Sequence, residues 1–417
     1  MRRPLPWLIG SNVTANLADG FLSLAVPLLA IRLTDDPLVI SLASVASMLP
    51  WMLFSVPVGA VLDRVDRAKA LAMANVVRAC CLLALTIAVG TGTIGIVALY
   101  CVVVALGVFE LVTDNAASSL VPAAAGRQEL DRANSWVQGG QLVAQNFVAV
   151  PLAAALFAAV AWGPFFVAGS AYTLAAVAAV VLRRTLQPAP APPTDNDEPA
   201  AAADGHHSYL TTVVEGWSFV RGHATLRRLI GASALLAGAV ALAQATMMVY
   251  LVTELRIPEQ LVGILATSLA VGGLLGMQVS VRLSRRHGRR LTALTGVTVL
   301  AGGLVTAFVA PGGAVAAIAL VAMSSGAAAW NIAAASARQA LTPDDLLGRV
   351  LGTTSLMLGT AQVLGALMGG FIARLDLRAP FLTGAVLCMA LLPLLHRTQF
   401  DAAQVPSTTS TSREEVH

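Results

Sequence analysis

Long apolar segments recur along almost the whole chain, and short polar segments separate them. Each apolar segment holds roughly 18 to 28 residues, enough to cross about 30 Å of hydrocarbon as a helix that rises 1.5 Å per residue. The apolar positions do not alternate with a period of two, so the strands of a membrane barrel are a poor match. The pattern therefore predicts membrane-spanning α-helices, since a backbone in lipid must satisfy its own hydrogen bonds.

Twelve such segments, called spans 1 to 12, divide into two sets of six. Their predicted bounds are 6–31, 38–61, 70–90, 94–119, 135–160, 163–182, 229–253, 258–280, 291–310, 313–337, 350–372 and 379–396. A longer polar interruption lies between the two sets. The sequence thus predicts an all-α polytopic membrane protein with an N-terminal half, residues 1–182, and a C-terminal half, residues 229–396.

The interruption, residues 183–228, is predicted to be a cytoplasmic linker. It begins with an acidic tract rich in Pro and Ala, which has too few apolar side chains to fold alone. Residues 209–229 place apolar side chains at helical intervals before a group of arginines, which predicts an amphipathic helix on the inner membrane surface. Residues 397–417 are predicted to be a disordered cytoplasmic tail.

Composition and charge agree with a membrane location and predict its orientation. Hydrophobic residues make up 57% of the chain and charged residues only 12%, unlike a soluble domain. Alternate loops hold 21 of the 26 Lys and Arg residues, the opposite loops hold four, and Arg78 falls inside span 3. Because positive loops stay on the cytoplasmic side, both termini are predicted to be cytoplasmic, in the inner membrane of a cell. The net charge of +4 therefore needs no nucleic-acid partner.

The sequence lacks the residue patterns of an enzyme or a cofactor site. The six histidines fall in loops, linker or tail without clustered carboxylates or cysteines, and no phosphate-binding loop of the form G-x-x-x-x-G-K-[ST] occurs. All four cysteines lie within spans, which disfavours a disulfide framework or a metal site. We expect no catalytic activity, no metal and no cofactor, and an ion gradient rather than ATP as the energy source.

The two halves repeat each other at a constant offset of 217 residues. This offset places Gly59 on Gly276, Arg132 on Arg349 and Gln145 on Gln362. Matches in several separate segments indicate a duplication, which is the organisation of many secondary transporters.

The loop between spans 2 and 3 reads GAVLDRVDRAK from Gly59 to Lys69 and resembles the signature loop of the major facilitator superfamily. Residues 131–135, 342–345 and 348–350 are similar to its exporter branch, which includes enterobactin and macrolide efflux proteins. The resemblance covers essentially the whole chain. It implies the fold of that superfamily and transport by alternating access, and we expect a monomer.

The resemblance also implies that Gly59, Asp63, Arg64 and Arg67 form a conformational latch. Asp63 would accept hydrogen bonds from the N-terminus of span 11, where the helix dipole favours negative charge. Arg64 or Arg67 would pair with an acid on a neighbouring span, for which Asp114 is the candidate. Alternatively, these loop charges only set the topology. The chain departs from the superfamily pattern at Asp66, where many members have glycine.

Ionisable side chains inside spans are candidates for function, because a charge at mid-membrane costs roughly 2.5 to 3.5 kcal/mol. Asp19, Glu110 and Asp114 are therefore the candidate proton-coupling groups. Arg78 and Glu110 are predicted at similar depth, so Arg78 is a candidate for a buried ion pair with Glu110, either structural or involved in coupling. Glu110 and Asp114, four residues apart, could instead form a ladder of carboxylates that carries protons.

Polar faces on several spans predict the substrate cavity. The strongest pattern is on span 1, where Asn12, Asn16 and Asp19 are four and three residues apart and share one face. The other candidates are Gln138, Gln141 and Gln145 of span 5, Gln244 of span 7, Trp330 and Asn331 of span 10, and Gln362 of span 11. Each amide could instead hold helices together through interhelical hydrogen bonds.

Together these features predict a secondary active transporter that exports a small organic molecule, such as a drug, siderophore or secondary metabolite, by proton antiport. A cavity with few acids suits an apolar or mildly polar molecule better than a strongly cationic one. Asp19, the one acid on the stripe of span 1, is expected to bind a proton when its surroundings close and to release it when they open. Two alternatives stay open: a facilitator or proton symporter that imports a metabolite, and a transport-inactive membrane sensor.

Overall fold

The computed structural model describes residues 4–62, 64–125, 129–186, 209–343 and 346–396, with the backbone alone at residues 55, 56, 60, 131 and 209–215. Within these ranges the chain is helical and has no strand. The predicted latch residue Asp63, the Pro-rich part of the linker and the predicted tail lie outside the described residues. The boundaries of the halves, linker and tail therefore stay predictions.

The N-terminal half contains the six predicted spans. Spans 1 to 4 are Pro4–Leu33, Pro37–Leu62, Arg67–Gly90 and Ile96–Ala125. Span 5 consists of Leu130–Leu142, a π-helical segment Val143–Ala149, and Val150–Ala159; span 6 is Gly163–Thr185. The connection between spans 4 and 5 is shorter than predicted, because both helices continue into the segment expected to be a turn.

The predicted linker contains a helix at Tyr209–Gly222, called the linker helix, and the second half follows it. Span 7 is Ala224–Val249, extended by a π-helical segment Tyr250–Glu254, and spans 8 and 9 form one run, Glu259–Phe308. Spans 10, 11 and 12 are Gly313–Leu341, Leu347–Ala373 and Ala379–His396.

The run that contains spans 8 and 9 is long enough for two membrane crossings. Its 50 residues would extend roughly 75 Å as a straight helix, over twice the thickness of the hydrocarbon core. The run breaks at Gly288, where φ is 84° and ψ is 166°, a conformation open to glycine. The described residues form eleven helices that are long and apolar enough to span a membrane. With the run counted as two, the number of spans is twelve, as predicted.

The two halves have the same helix packing. In the N-terminal half, span 1 packs on spans 5 and 6, span 3 on span 6, and span 2 on span 4. In the C-terminal half, span 7 packs on spans 11 and 12, span 9 on span 12, and span 8 on span 10. Each pairing in one half has its counterpart six spans later, which agrees with the repeat at 217 residues.

The bundle has two ends with different charge. The loops after spans 1, 3, 5, 7, 9 and 11 form the arginine-poor face, and the termini and remaining loops form the arginine-rich face. Span 2 meets span 11, and span 5 meets span 8, across the boundary between the halves. Gly370 approaches Ser41, and Gly263 approaches Ala154, so closely that neither glycine has room for a Cβ. Both contacts lie in the parts of the spans nearer the arginine-poor face.

The linker helix packs against the first turns of span 11. Gly216 lies directly against the backbone of Arg349. Val220 is buried with Ile230 of span 7 and Val350 of span 11. The predicted helix is thus present, and its location on the inner membrane surface stays a prediction.

Candidate functional site

A cavity of about 310 Å³ lies at mid-depth in the N-terminal half, between spans 1, 2, 4 and 5. Two acids and an arginine contribute to its wall: Asp19, Glu110 and Arg78. Its other polar lining residues are Gln145, Ser23, Ser44 and Ser47. This cavity, called the N-half cavity, therefore combines charged groups with a largely apolar wall of Leu, Val, Ala and Met side chains.

A second cavity of about 190 Å³ lies at similar depth in the C-terminal half, between spans 7, 9, 10 and 11. The four substrate-cavity candidates predicted in this half, Gln244, Trp330, Asn331 and Gln362, all line it. Ser233 completes its polar wall, and none of its lining residues is ionisable. This cavity is called the C-half cavity.

The two cavities are counterparts under the sequence repeat. Several lining residues of one correspond to lining residues of the other at the 217-residue offset: Asp19 and Leu236, Ser23 and Val240, Pro27 and Gln244, Glu110 and Ala327, Gln145 and Gln362. At two of these positions an acid in the N-half cavity corresponds to an apolar residue in the C-half cavity. Acidic lining residues are therefore confined to one of two structurally equivalent cavities.

Arg78 is the centre of a buried polar cluster. Its side chain is 1% exposed and its guanidinium donates a hydrogen bond to Asp19 of span 1. The hydroxyl of Tyr172 on span 6 donates to the same carboxylate at 2.5 Å, and the centre of the Tyr172 ring lies 4.1 Å from the guanidinium carbon. Sequence reasoning missed Tyr172, although a tyrosine in the middle of an apolar span is a signal. Two donors thus hold the Asp19 side chain in place.

Span 4 completes this cluster. Glu110 Oε2 lies 3.9 Å from Arg78 Nη2, and the Glu110 side chain is 33% exposed, against 10% for Asp19. Arg78 Nη1 also donates to Thr113 Oγ1 at 3.4 Å. The contact between Arg78 and Glu110 expected from sequence is present, but the primary partner of Arg78 is Asp19. The structure therefore unites two candidate sites that sequence reasoning had treated as competitors.

Asp114 is half-buried and close enough to Asp19 and Arg78 to interact with their charges. Within the described part of the chain it has no ion pair, so the expected pairing of Asp114 with Arg64 or Arg67 is not formed. Asp114 lies one helical turn beyond Glu110 on the same face of span 4, which brings its charge within reach of the cluster.

Close helix contacts position the cluster. Gly20 follows Asp19 and touches the carbonyl oxygen of Gln145 and the methyl group of Ala149, both in the π-helical segment of span 5. Pro50 of span 2 occupies the space beside Gly107, one turn before Glu110. Small residues therefore let spans 1, 4 and 5 approach the cavity closely.

Several predicted cavity residues line neither cavity. Asn12 and Asn16 are 8% and 4% exposed, and Asn16 Nδ2 donates to the backbone oxygen of Asn12 at 2.9 Å. Gln138 is exposed and Gln141 is half-buried. Their roles in substrate binding stay predictions. Gln145 alone of the span 5 glutamines reaches the N-half cavity.

The loop between spans 2 and 3 is tied to span 6 through Asp66. Its carboxylate caps span 3 by accepting from the Lys69 backbone N–H at 3.0 Å, and it pairs with Arg183 Nε at 2.7 Å. These hydrogen bonds, first that of Lys69 and then that of Arg183, lower the pKa of Asp66. The residue that departs from the superfamily pattern thus has a structural role in this loop.

The other predicted latch residues, Gly59, Arg64 and Arg67, lie where the described surroundings do not indicate a latch. Arg64 and Arg67 are exposed at the arginine-rich face, and a Cβ on Gly59 would meet no atom within 4 Å. Because Asp63 is outside the described residues, the latch stays a prediction.

Two arginine–carboxylate pairs join the halves at the arginine-poor face. Arg374, directly after span 11, pairs with Asp36, directly before span 2, and donates through Nε to Oδ1 at 2.8 Å and through Nη2 to Oδ2. Arg32 of span 1 pairs with Glu259 of span 8, with an Nη2–Oε2 distance of 2.7 Å. Each pair uses two guanidinium nitrogens and both carboxylate oxygens, the geometry that arginine favours. The boundary between the halves is therefore closed at this face.

The pair of Asp36 with Arg374 at this face resists acid. The hydrogen bond from Arg374 lowers the pKa of Asp36 from 3.8 to about 2. A carboxylate with a lowered pKa contributes to stability above its usual pKa and loses that contribution only as the pH falls through its own value. The pair of Asp36 with Arg374 therefore persists until the pH approaches about 2.

Removing either charge of the buried pair is expected to destabilise the protein strongly. Asp19→Asn leaves a buried guanidinium without its main partner, and Arg78→Gln leaves the carboxylate without its cation. Such losses cost about 3 to 5 kcal/mol, whereas replacing both charges is often close to neutral. We expect each single variant to unfold at a markedly lower temperature and the double variant to recover most of the loss, measured by thermal unfolding in detergent.

Arg183→Gln is the matched control, because its partner Asp66 is exposed and exposed pairs contribute about 1 kcal/mol or less. If the double variant loses as much stability as the two single variants added together, the pair is not the unit that the geometry indicates.

Known proteins resemble this chain over nearly its whole length. The family model described as "Major Facilitator Superfamily" matches residues 8–253 and residues 229–415. The chain is 28% identical over 394 residues to a protein named multidrug efflux pump Tap from Mycolicibacterium fortuitum, covering 91% of this chain and 92% of that protein.

Solved structures resemble the whole fold. A bacterial homologue of the iron transporter ferroportin in an inward-facing state aligns with a TM-score of 0.75 and 18% identity, covering 95% of this chain and 99% of that chain. The nucleoside transporter NupG aligns with a TM-score of 0.69 and 13% identity, covering 95% of this chain and 100% of that chain.

Proposed function

We propose that this chain, which belongs to the major facilitator superfamily, exports a small organic molecule across the cell membrane in exchange for protons. That it is a multi-pass membrane transporter and not an enzyme follows from the family. The direction, the coupling ion and the cargo are the parts that we propose, with the chain acting as a monomer.

The sidedness of the protein rests on its charge. With 21 Lys and Arg residues assigned to one set of loops and four to the other, the arginine-rich face is cytoplasmic under the positive-inside rule. The closed boundary, with the pairs of Arg32 with Glu259 and of Asp36 with Arg374, then faces outwards. The described conformation is accordingly the one that receives cargo from the cytoplasm.

The observation that carries the proton part of the proposal is the cluster in the N-half cavity. Asp19 is neutralised by Arg78 and hydrogen-bonded by Tyr172, whereas Glu110 lies farther from the guanidinium and is more exposed to the cavity. A carboxylate that faces a cavity of changing hydration can bind and release a proton as the cavity closes and opens. This geometry favours Glu110 over Asp19 as the proton carrier.

Similarity to a protein named as an efflux pump favours export over import. The multidrug efflux pump Tap matches nine-tenths of each chain, and a C-half cavity without ionisable residues suits a mainly apolar cargo. Cargo entry from the arginine-rich face and release at the opposite face complete the proposed cycle of alternating access.

Uptake into inside-out membrane vesicles tests direction and coupling together. In such vesicles the cytoplasmic face is outside, so an exporter accumulates cargo when the vesicle interior is made acidic. We expect gradient-dependent uptake of at least one compound from a panel of neutral, anionic and cationic aromatic molecules. Collapsing the proton gradient with an uncoupler should release that compound.

Vesicle orientation is controlled with the same preparation. In a background with the native cysteines replaced, His223→Cys at the arginine-rich face should react with an impermeant thiol reagent in inside-out vesicles, and Thr93→Cys at the arginine-poor face should not. The opposite labelling would reverse the topology. Accumulation only in right-side-out vesicles would make the protein an importer.

A further inference from the structure

Arg338 has an unusual position for an arginine near the end of a span. It lies three residues before Leu341, the last residue of span 10, and sequence reasoning assigned it to an arginine-rich loop. The structure corrects this assignment, because the guanidinium turns back into the bundle and Nη1 lies 3.2 Å from Ser233 Oγ of span 7. Its Nε atom is buried and has no hydrogen-bond partner.

Arg338 is half-buried, and a guanidinium that is turned into a protein normally has a carboxylate beside it. Arg78 has Asp19, and at the arginine-poor face Arg32 has Glu259 and Arg374 has Asp36. Within the described ranges, no acid lies within ion-pair distance of Arg338. Since an arginine near a helix end can extend to water at little cost, an inward orientation without a partner leaves a positive charge that a ligand can neutralise.

This charge lies next to the C-half cavity. Ser233, which accepts the hydrogen bond from Arg338, also lines that cavity together with Trp330 and Gln362. A helical side chain projects towards the N-terminal end of its helix, which for Arg338 is the direction of the cavity. Ser233 thus joins the guanidinium to the cavity wall.

The lining of the cavity complements the charge at its end. Amides, an indole and aliphatic side chains surround the space, and none of them is ionisable. A ligand with an aromatic or apolar body fits these groups, and its anionic group would gain charge-assisted hydrogen bonds from Arg338. A cationic group would meet an uncompensated positive charge instead.

We propose that Arg338 and Ser233 form a binding subsite for an anionic group, such as a carboxylate or sulfonate, on an aromatic cargo. This inference rests on the proposed function and deepens it by naming the cargo as an organic anion. Arg338 binds the anion, and Ser233 positions the guanidinium at the cavity.

Binding of two molecules of the same shape tests the subsite. With purified full-length protein in detergent, 2-naphthoate should bind roughly ten times more tightly than uncharged 2-naphthamide, because a charge-assisted contact of about 1.4 kcal/mol changes affinity tenfold. Arg338→Gln should remove this preference and leave naphthamide binding unchanged. Arg338→Lys should keep part of the preference, since the charge remains but its two-nitrogen geometry is lost.

Arg228→Gln is the control, because Arg228 is exposed at the same face and its loss should not change either affinity. If Arg338→Gln does not fold, Ser233→Leu blocks the approach between cavity and guanidinium and should remove the same preference. Equal binding of the two probes by the wild type, or a preference that survives both variants, would overturn the subsite. The measurement uses no gradient, so its failure is distinguishable from failure of proton-coupled export.

Discussion

Glu110→Gln is expected to abolish gradient-driven accumulation while leaving cargo exchange intact. Glutamine keeps the size and polarity of the side chain but cannot exchange a proton, so cargo still binds and crosses while the gradient no longer drives it. Proteoliposomes preloaded with unlabelled cargo should therefore exchange it for labelled cargo at the wild-type rate. With an imposed proton gradient and no preload, uptake should stop at equilibrium.

Ser47→Ala is the matched control for this result, because Ser47 lines the same cavity and does not ionise. It should accumulate cargo as the wild type does. If Glu110→Gln accumulates cargo and Asp19→Asn folds but does not, the proton is carried by span 1, as the polar stripe in the sequence suggested. If both variants accumulate cargo, the transport is not proton-coupled through this cluster.

Gly370→Leu is expected to prevent closure of the arginine-poor face. A Cβ at this position would lie 2.9 Å from the Leu38 Cα and would overlap the Ser41 side chain. A clash that disfavours the closed state by only about 1.4 kcal/mol shifts the ratio of closed to open molecules tenfold, and a branched side chain between two helix backbones should exceed this. Transport should fall by roughly tenfold or more, because the protein no longer returns to the state that receives cargo.

The accessibility of the N-half cavity to a thiol reagent shows directly whether the arginine-poor face stays open. With Ser44→Cys as a reporter, Gly370→Leu should make the thiol reactive to an impermeant reagent added at the arginine-poor face. Gly359→Leu is the control, since Gly359 lies on the same span and a Cβ there would have no neighbouring atom within 4 Å. Loss of transport in Gly370→Leu without increased reactivity of the reporter would contradict the closure argument.

The span pattern could be predicted from sequence because one physical rule decides it. A run of about 20 apolar residues has no other stable arrangement in a bilayer, and the predicted bounds of span 2, 38–61, differ from the observed Pro37–Leu62 by one residue at each end. The connection between spans 8 and 9 is the exception, because it is shorter than predicted. The arginines on both sides of Gly288 are good helix formers, so they continue the two helices and leave the break between them at Gly288.

The cluster could be predicted only in part. That Asp19, Arg78 and Glu110 need protein neighbours follows from the cost of burying charge, but which of them pair depends on how spans 1, 3 and 4 pack. Asp19 and Arg78 are 59 residues apart in the chain, and periodicity within a single span carries no information about that pairing. Tyr172 joins them from a fourth span.

Two local features limited the prediction of the cavities. The π-helical segment Val143–Ala149 has more residues per turn than the α-helix value of about 3.6. Residues that an α-helix would place on one face of span 5 therefore lie on different faces, and Gln145 separates from Gln138. Arg338 was misplaced by a single helical turn, because the sequence does not show whether a terminal arginine extends outwards or folds back. Hydrophobicity determines where a span lies but not how each side chain turns.

The restriction of carboxylates to the lining of one of two equivalent cavities has a consequence for evolution. Mutations at Gln244, Asn331 or Gln362 can change which molecules are recognised without altering the charged groups of the N-half cavity. Duplication would thus have given one copy freedom to diversify while the other stayed under selection for energy conversion. Homologues that share this division should vary in cargo more readily than in driving ion.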